Sequence, residues 1–372
     1  MHPATLSTIL QDHHIHPQTG FLPSEAPLLQ LPHPYYQAWE ALARELPDRI
    51  QQKAHRAIID QWPVLEIGHL ETAAERERAM LLLSFFAHAY IHSSPGVKVL
   101  PRAIALPWVA LSEQMDRLPI LSHPSGVLNN WRKLDPEGEF HPKNLATLLQ
   151  FNHASDEAWF YLITAQIEAI GARAILPLLT CRQHVESREY DAAIPLLQKG
   201  EAILKEMTLA LNSLYDHCDP AIFYHEIRPF LASFEAVTYE GVQPAQHSYH
   251  GGSAAQSSLL QFFDAIFGIR YEGTTAAYLL EMRKHMPRPH ADWLRWVEQG
   301  TSLQSADYGP YQEAYEAAVA ALIEFRNAHL KVVAIYIMKP AAKTEKEAKG
   351  TGGTSPLIFL KDIRNKNQEQ IK

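Results

Sequence analysis

From Tyr35 onward the apolar residues of this chain recur at spacings of three and four, and strand-like alternation is scarce. That periodicity lines apolar side chains along one face of a helix, so the chain is expected to be all-α. Ser155 or Asp156 is expected to cap a helix running through Ile175, and a second helix covers about Ala192 to Tyr215. Asp219 and Pro220 read as an N-cap followed by Pro at the first helical position. That third helix should bend or stop at Arg228, because Pro229 has no amide hydrogen and disfavours helical geometry in the residue before it. Tyr311 to Met338 is the longest regular helix, and Ser355-Pro356 opens a short C-terminal one. The first 30 or so positions, rich in Pro and His, read as an extended arm. A boundary near residue 150 divides the 372 residues into 1–150 and 151–372, in keeping with roughly 150 residues per domain.

Composition removes several classes of function. With 33 basic against 41 acidic side chains the formal net charge is −8, and no long basic run is present, which argues against nucleic acid or an anionic membrane as partner. Cys181 and Cys218 cannot build a disulfide framework or a four-thiolate zinc site, so a cytoplasmic, reducing location is expected. Met1 to Asp12 lacks the pattern of a signal peptide. The apolar run Met80 to Ile91 is shorter than the roughly 20 residues a bilayer requires, and no other stretch is expected to span one. Nucleotide binding finds no GxxxxGK[ST] pattern, Ser257 sits in no GxSxG elbow, and the cysteines have no CxxC spacing. His13-His14-Ile15-His16 looks like a chelating tract, but lies in the Pro-rich arm without acidic partners. What remains unusual is the count of 20 histidines.

On the helix at Tyr311 to Met338 the positions Leu322, Phe325, Arg326, His329, Val332, Val333 and Tyr336 share one face. His329 therefore lies in an apolar stripe with Arg326 one turn before it. Two readings stand. His329 is a core histidine bonded to a carbonyl or water, with Arg326 paired to a carboxylate such as Asp264; or the imidazole meets a heme iron and the guanidinium its propionates. Phe160 and Thr164 share a helical face, and Phe223 and Ile227 stand together with Arg228 at the Pro-induced break. Two aromatic rings and an Arg suit an aromatic amino acid, and they equally suit ordinary core packing. The Gly-rich stretches Gly251 to Ser257 and Gly350 to Thr354 permit close approach to a ligand, or simply connect helices.

Ten stretches in collinear order resemble the indoleamine 2,3-dioxygenases. They are Thr19 to Pro23 (TGFLP), Val127 to Trp131 (VLNNW), Trp159 to Leu162 (WFYL), Phe223 to Phe230 (FYHEIRPF), Val237 to Gly241 (VTYEG), Gly251 to Ser258 (GGSAAQSS), Phe263-Asp264, Met286-Pro287, Arg326 to Leu330 (RNAHL) and Lys349 to Thr354 (KGTGGT). The resemblance implies an all-α fold in which a small N-terminal domain, 1–150, caps a large helical domain, 151–372, that holds heme b. It implies His329 as the proximal iron ligand, and Arg326, Asp264, Gly252 and Ser253 in the cofactor's surroundings. Phe160, Thr164, Phe223, Arg228, Ala254, Gly126 and His123 are placed by it around the substrate, and Thr351 in a loop over the site. Of these, Arg228 would take the substrate carboxylate and the two Phe rings the indole. The implied reaction inserts both atoms of O2 across the indole C2-C3 bond of L-tryptophan or a related indoleamine, giving N-formylkynurenine. It needs a reductant for the heme and no partner macromolecule, and a monomer is expected. Another indole, another oxidant, or heme binding without turnover are the alternatives. Thr164 stands where several members have Ser, His123 where others have Tyr, and the loop before Gly350 is shorter than in longer members.

Overall fold

The computed structural model describes residues 5–304, 308–343 and 356–371. Ten helices carry the architecture: α1 (Gln37–Gln51), α2 (Ala73–His92), α3 (Arg102–Gln114), α4 (Ser155–Glu186), α5 (Tyr190–Asn212), α6 (Ser258–Ile266), α7 (Gly273–Arg283), α8 (Arg288–Gln299), α9 (Gly309–Val333) and α10 (Pro356–Gln368). The centre of the molecule is α4 and α9 packed on the two sides of α5. The all-α expectation holds for the bulk of the chain, and the strands are short. β1 (Val99–Leu100) pairs in parallel with β4 (Phe234–Tyr239), which pairs antiparallel with β5 (Gln246–Tyr249); β2 (Arg132–Lys133) and β3 (Leu145–Ala146) form a two-stranded ribbon.

The length of α4 departs from the sequence reading. It has 32 residues and continues past Ile175 to Glu186, with Pro177 inside it. No side chain caps its start, where Ala154 occupies the N-cap. Glu157 satisfies the approaching chain instead: its carboxyl oxygens accept the amide hydrogens of Phe151 and Asn152 at 2.9–3.0 Å. Asp156 accepts the amide of Asp219 at 2.6 Å, so both acidic residues tie the helix to neighbouring segments. By length and composition α4 could cross a bilayer, which the sequence reading had excluded for every stretch; here 67% of its most apolar window is buried inside the protein. Asp219 and Pro220 behave as expected, with the Asp219 carboxylate accepting from Ala221 and Ile222.

The arm at the N-terminus holds a helix, Leu6–Asp12, capped by Thr5, and it packs down rather than trailing away. The Phe21 ring lies 4.9 Å from His290 and 5.4 Å from Trp293 on α8. Several buried histidines are structural. His88, in the apolar α2, sits with Nδ1 2.6 Å from the Phe230 carbonyl, and its Nε2 accepts the Leu121 amide at 3.0 Å. It thereby ties together two segments that wall the cavity described next, and burial, then His92, pushes its pKa well below the usual imidazole value. Phe85, Phe151 and Phe230 stack at 4.5 and 4.6 Å beside it. These contacts, and the β1-β4 pairing, link residues on both sides of position 150.

Candidate active site

One large cavity lies between α4, α9, the irregular turn at 223–231, the loop at 252–257 and the π-helical turn Pro124–Leu128. Its empty volume, open mouth included, is about 1610 Å³. Leu211, Leu214, Leu260, Phe325, Val332 and Val333 make most of its wall apolar.

His329 opens onto this cavity from α9. Neither ring nitrogen has a hydrogen-bond partner among the described residues, and burial, then the Arg326 charge, pushes the ring down to about pH 4. The imidazole is thus neutral at physiological pH, the state in which it donates a lone pair to a metal. No group of three His, Cys, Asp or Glu among the described residues could hold a metal ion. A metal at His329 must therefore bring most of its coordination with it, as an iron in a porphyrin does. An orphaned neutral imidazole on an apolar cavity of this size fits heme.

Arg326, one turn before His329, has protein partners for its charge. It donates to Asp264 at 2.6 Å and, from α10, Asn367 accepts at 3.1 Å. Burial works against the guanidinium charge, but Asp264 and Tyr271 together more than offset it and the pKa is raised. Arg326 and Asp264 both lie behind the cavity rather than among the residues that line it. Asn367 went unremarked in the sequence, because nothing in its surroundings there indicates that α10 folds back on α9.

Phe160 and Phe223 come together at 4.9 Å between ring centroids, and Tyr336 meets Phe223 at 5.7 Å. Phe223 belongs to a π-helical turn, Phe223–Ile227, that passes at Arg228 into a 3-10 turn ending at Leu231. The break predicted at Pro229 is what lets this segment leave helical register. The Arg228 guanidinium lies over the Tyr224 ring at 5.3 Å and lines the cavity, and its burial lowers its pKa, so an anion there is favoured. Thr164 also lines the cavity, but its hydroxyl donates to the Phe160 carbonyl at 2.9 Å and retains only acceptor capacity.

Gly252, Ser253 and Ala254 form the loop side of the cavity, with Ser253 and Gln256 in a reciprocal cap of the turn Ala254–Gln256. Gly251 is required by packing: a Cβ there would lie 2.2 Å from the Leu231 carbonyl oxygen. Gly126 faces the Tyr161 ring, which a Cβ would meet at 3.4 Å. Thr351 and the rest of Gly350 to Thr354 lie outside the described residues.

The residue that sequence reasoning missed is Glu168. It is buried, lines the cavity, and its Oε1 lies 2.9 Å from His123 Nε2 while accepting the Ser257 hydroxyl at 2.6 Å. Its spacing of four and eight from Thr164 and Phe160 was the available signal. The cavity wall is therefore not made of rings and a hydroxyl alone.

Comparison with known proteins decides the family. The family model described as indoleamine 2,3-dioxygenase matches residues 9–370. The chain belongs to the indoleamine 2,3-dioxygenase family. Among its relatives are indoleamine 2,3-dioxygenase 2 of Homo sapiens, 32% identical over 97% of this chain and 95% of the relative, and indoleamine 2,3-dioxygenase 1 of Mus musculus, 32% identical over 98% and 96%. A 6-hydroxytryptophan 2,3-dioxygenase of Fusarium equiseti is 32% identical over 99% of both chains. As a member of the indoleamine 2,3-dioxygenase family, the protein is an oxidoreductase of the dioxygenase class.

Proposed function

We propose that the cavity holds heme b with His329 as the protein's ligand to the iron, and that the chain cleaves the C2-C3 bond of L-tryptophan with O2 to give N-formylkynurenine. The observation that carries this reading is the His329 imidazole, neutral, half-buried and without a partner among the described residues, on the wall of a largely apolar cavity. When bound, heme supplies the iron at which O2 is activated.

The chain's own residues bind and orient. Phe160 and Phe223 offer ring faces to the indole, and Arg228 takes the carboxylate. The aliphatic wall excludes water, which strengthens the Arg228 interaction and holds the substrate in one pose. Thr164, already donating to Phe160, has no proton to give to a bound group, and accepts a hydrogen bond from one instead. Ser253 and Gly252 stand at the loop side, where backbone can approach the cofactor closely. A reductant that keeps the iron ferrous, a cytoplasmic location and a monomeric state belong to the same reading.

The test is product analysis with isotopic oxygen. Heme-loaded protein turned over with L-tryptophan and 18O2 under reducing conditions is expected to give N-formylkynurenine carrying both labels. Fully loaded protein that yields no such product, or a product with one label, contradicts it.

A further inference from the structure

Apart from Arg228, Thr164 and the loop at Ser253, the polar groups of the cavity gather along one stretch, and there the polar atoms are incompletely satisfied. Glu168 is 3% exposed, and both of its internal partners, His123 Nε2 and the Ser257 hydroxyl, converge on Oε1. Oε2 has no partner among the described residues. His123 Nδ1 has no partner among the described residues either. The Tyr161 hydroxyl and the Ser122 hydroxyl, both on the same wall, are also buried without partners. Buried polar atoms are normally paired, so the three on this cavity wall, Glu168 Oε2 and the Tyr161 and Ser122 hydroxyls, call for a ligand or a water.

Position along α4 says which part of a substrate would reach them. Phe160, Thr164 and Glu168 share a face at intervals of four residues, about 6 Å per step. Arg228 belongs to the turn anchored at the Phe160 end by the contact of Phe160 with Phe223. An amino acid held by its carboxylate at Arg228 thus points its ring system along α4 toward Glu168. With both internal partners on Oε1, the group that suits the open Oε2 oxygen of Glu168 is a hydrogen-bond donor, and a hydroxyl can meet the His123 Nδ1 beside it in either sense.

We infer that His123 and Glu168 form a specificity subsite for a hydroxyl on the benzo ring of the indole, so that ring-hydroxylated tryptophans are preferred to tryptophan itself. This rests on the substrate reading above and deepens it. Ser257, the N-cap of α6, holds Glu168 in place by donating to Oε1 while accepting the Leu260 amide at 3.2 Å. Gly126 leaves room beside the Tyr161 ring for the added oxygen.

The experiment compares L-tryptophan with 5-hydroxy- and 6-hydroxy-L-tryptophan on the heme-loaded protein, by spectral titration for affinity and by kcat/KM. At least one hydroxylated substrate is expected to bind roughly tenfold tighter than tryptophan in the native chain, the effect of a hydrogen bond to a charged group. In Glu168→Gln and in His123→Phe that ratio is expected to collapse toward one. A native protein that binds tryptophan but shows no gain for either hydroxyl overturns the subsite and leaves the function standing. A preference that survives both variants, or a loss that falls equally on all three substrates, overturns it as well. If none of the three perturbs the spectrum or turns over, the function reading fails and the subsite with it.

Discussion

Two histidines open onto the same cavity and are satisfied in opposite ways. His329, on α9, has no partner among the described residues, and burial and Arg326 keep it neutral. His123 has its Nε2 occupied by Glu168 and its backbone amide held by the Gln256 side chain at 3.0 Å. The first is free of any partner among the described residues and open to ligation; the second is already engaged at Nε2 and presents its remaining nitrogen. Behind His329 the contrast repeats, because Arg326 donates from Nη2 to Asp264 and from Nε to Asn367 and lies outside the cavity wall. A buried polar side chain is therefore best assigned by what it lacks after the protein's own bonds are counted, a criterion that spacing along the sequence does not supply.

The comparison predicts its own tests. Replacing His329 has the largest effect: His329→Ala is expected to lose stoichiometric heme and all turnover, measured by heme absorbance per chain, whereas His123→Ala retains heme. Equal heme content in the two variants breaks the contrast. Next comes the pair behind His329. Asp264→Ala strands a buried guanidinium and should cost about 3–5 kcal/mol of stability, read as a lower urea midpoint, with Asp264→Asn costing less. Arg228→Ala should weaken tryptophan binding by roughly 10- to 100-fold, the loss of charge-assisted hydrogen bonds, with heme content unchanged. The most gradual effect is a pH slope at the start of α4. Burial pushes the Glu157 carboxyl up to about pH 8 against the two amides that favour its charge. The folded state then holds its proton while the unfolded chain loses it, so stability falls as pH rises from about 4.5 to about 8, by at most about 1.4 kcal/mol per unit. Glu157→Gln should flatten that slope in urea melts taken at pH 5, 6.5 and 8; an unchanged slope would show that Glu157 is already ionised.

Much of this was legible in the sequence because helical period and Pro or Gly punctuation are local. The apolar face of α9 with His329 on it, the Asp219-Pro220 start and the break at Arg228 all follow from residues within a turn or two of each other. Family-like motifs added the grouping of Phe160, Phe223, Arg228, Gly126, Gly252, Ser253 and Ala254 on one cavity. What was hidden depends on tertiary approach. Glu157 reaching back in place of a Ser155 or Asp156 cap, Asn367 arriving at Arg326 from 41 residues away, and β1 pairing with β4 require distant segments to meet. Glu168 was hidden differently: its spacing was visible, but an acidic residue on a helix ordinarily faces water. Its burial depends on His123 and Ser257, which approach from 45 and 89 residues away.

The central claim is that His329 holds a heme at which an indole is oxidised, and the most direct measurement is the optical spectrum of the purified protein loaded with one equivalent of heme. Recorded ferric, then ferrous with carbon monoxide, it is expected to show a Soret band at one heme per chain that shifts when L-tryptophan is added and is absent in His329→Ala. A chain that retains no heme, or a spectrum identical in the native protein and His329→Ala, would contradict the account.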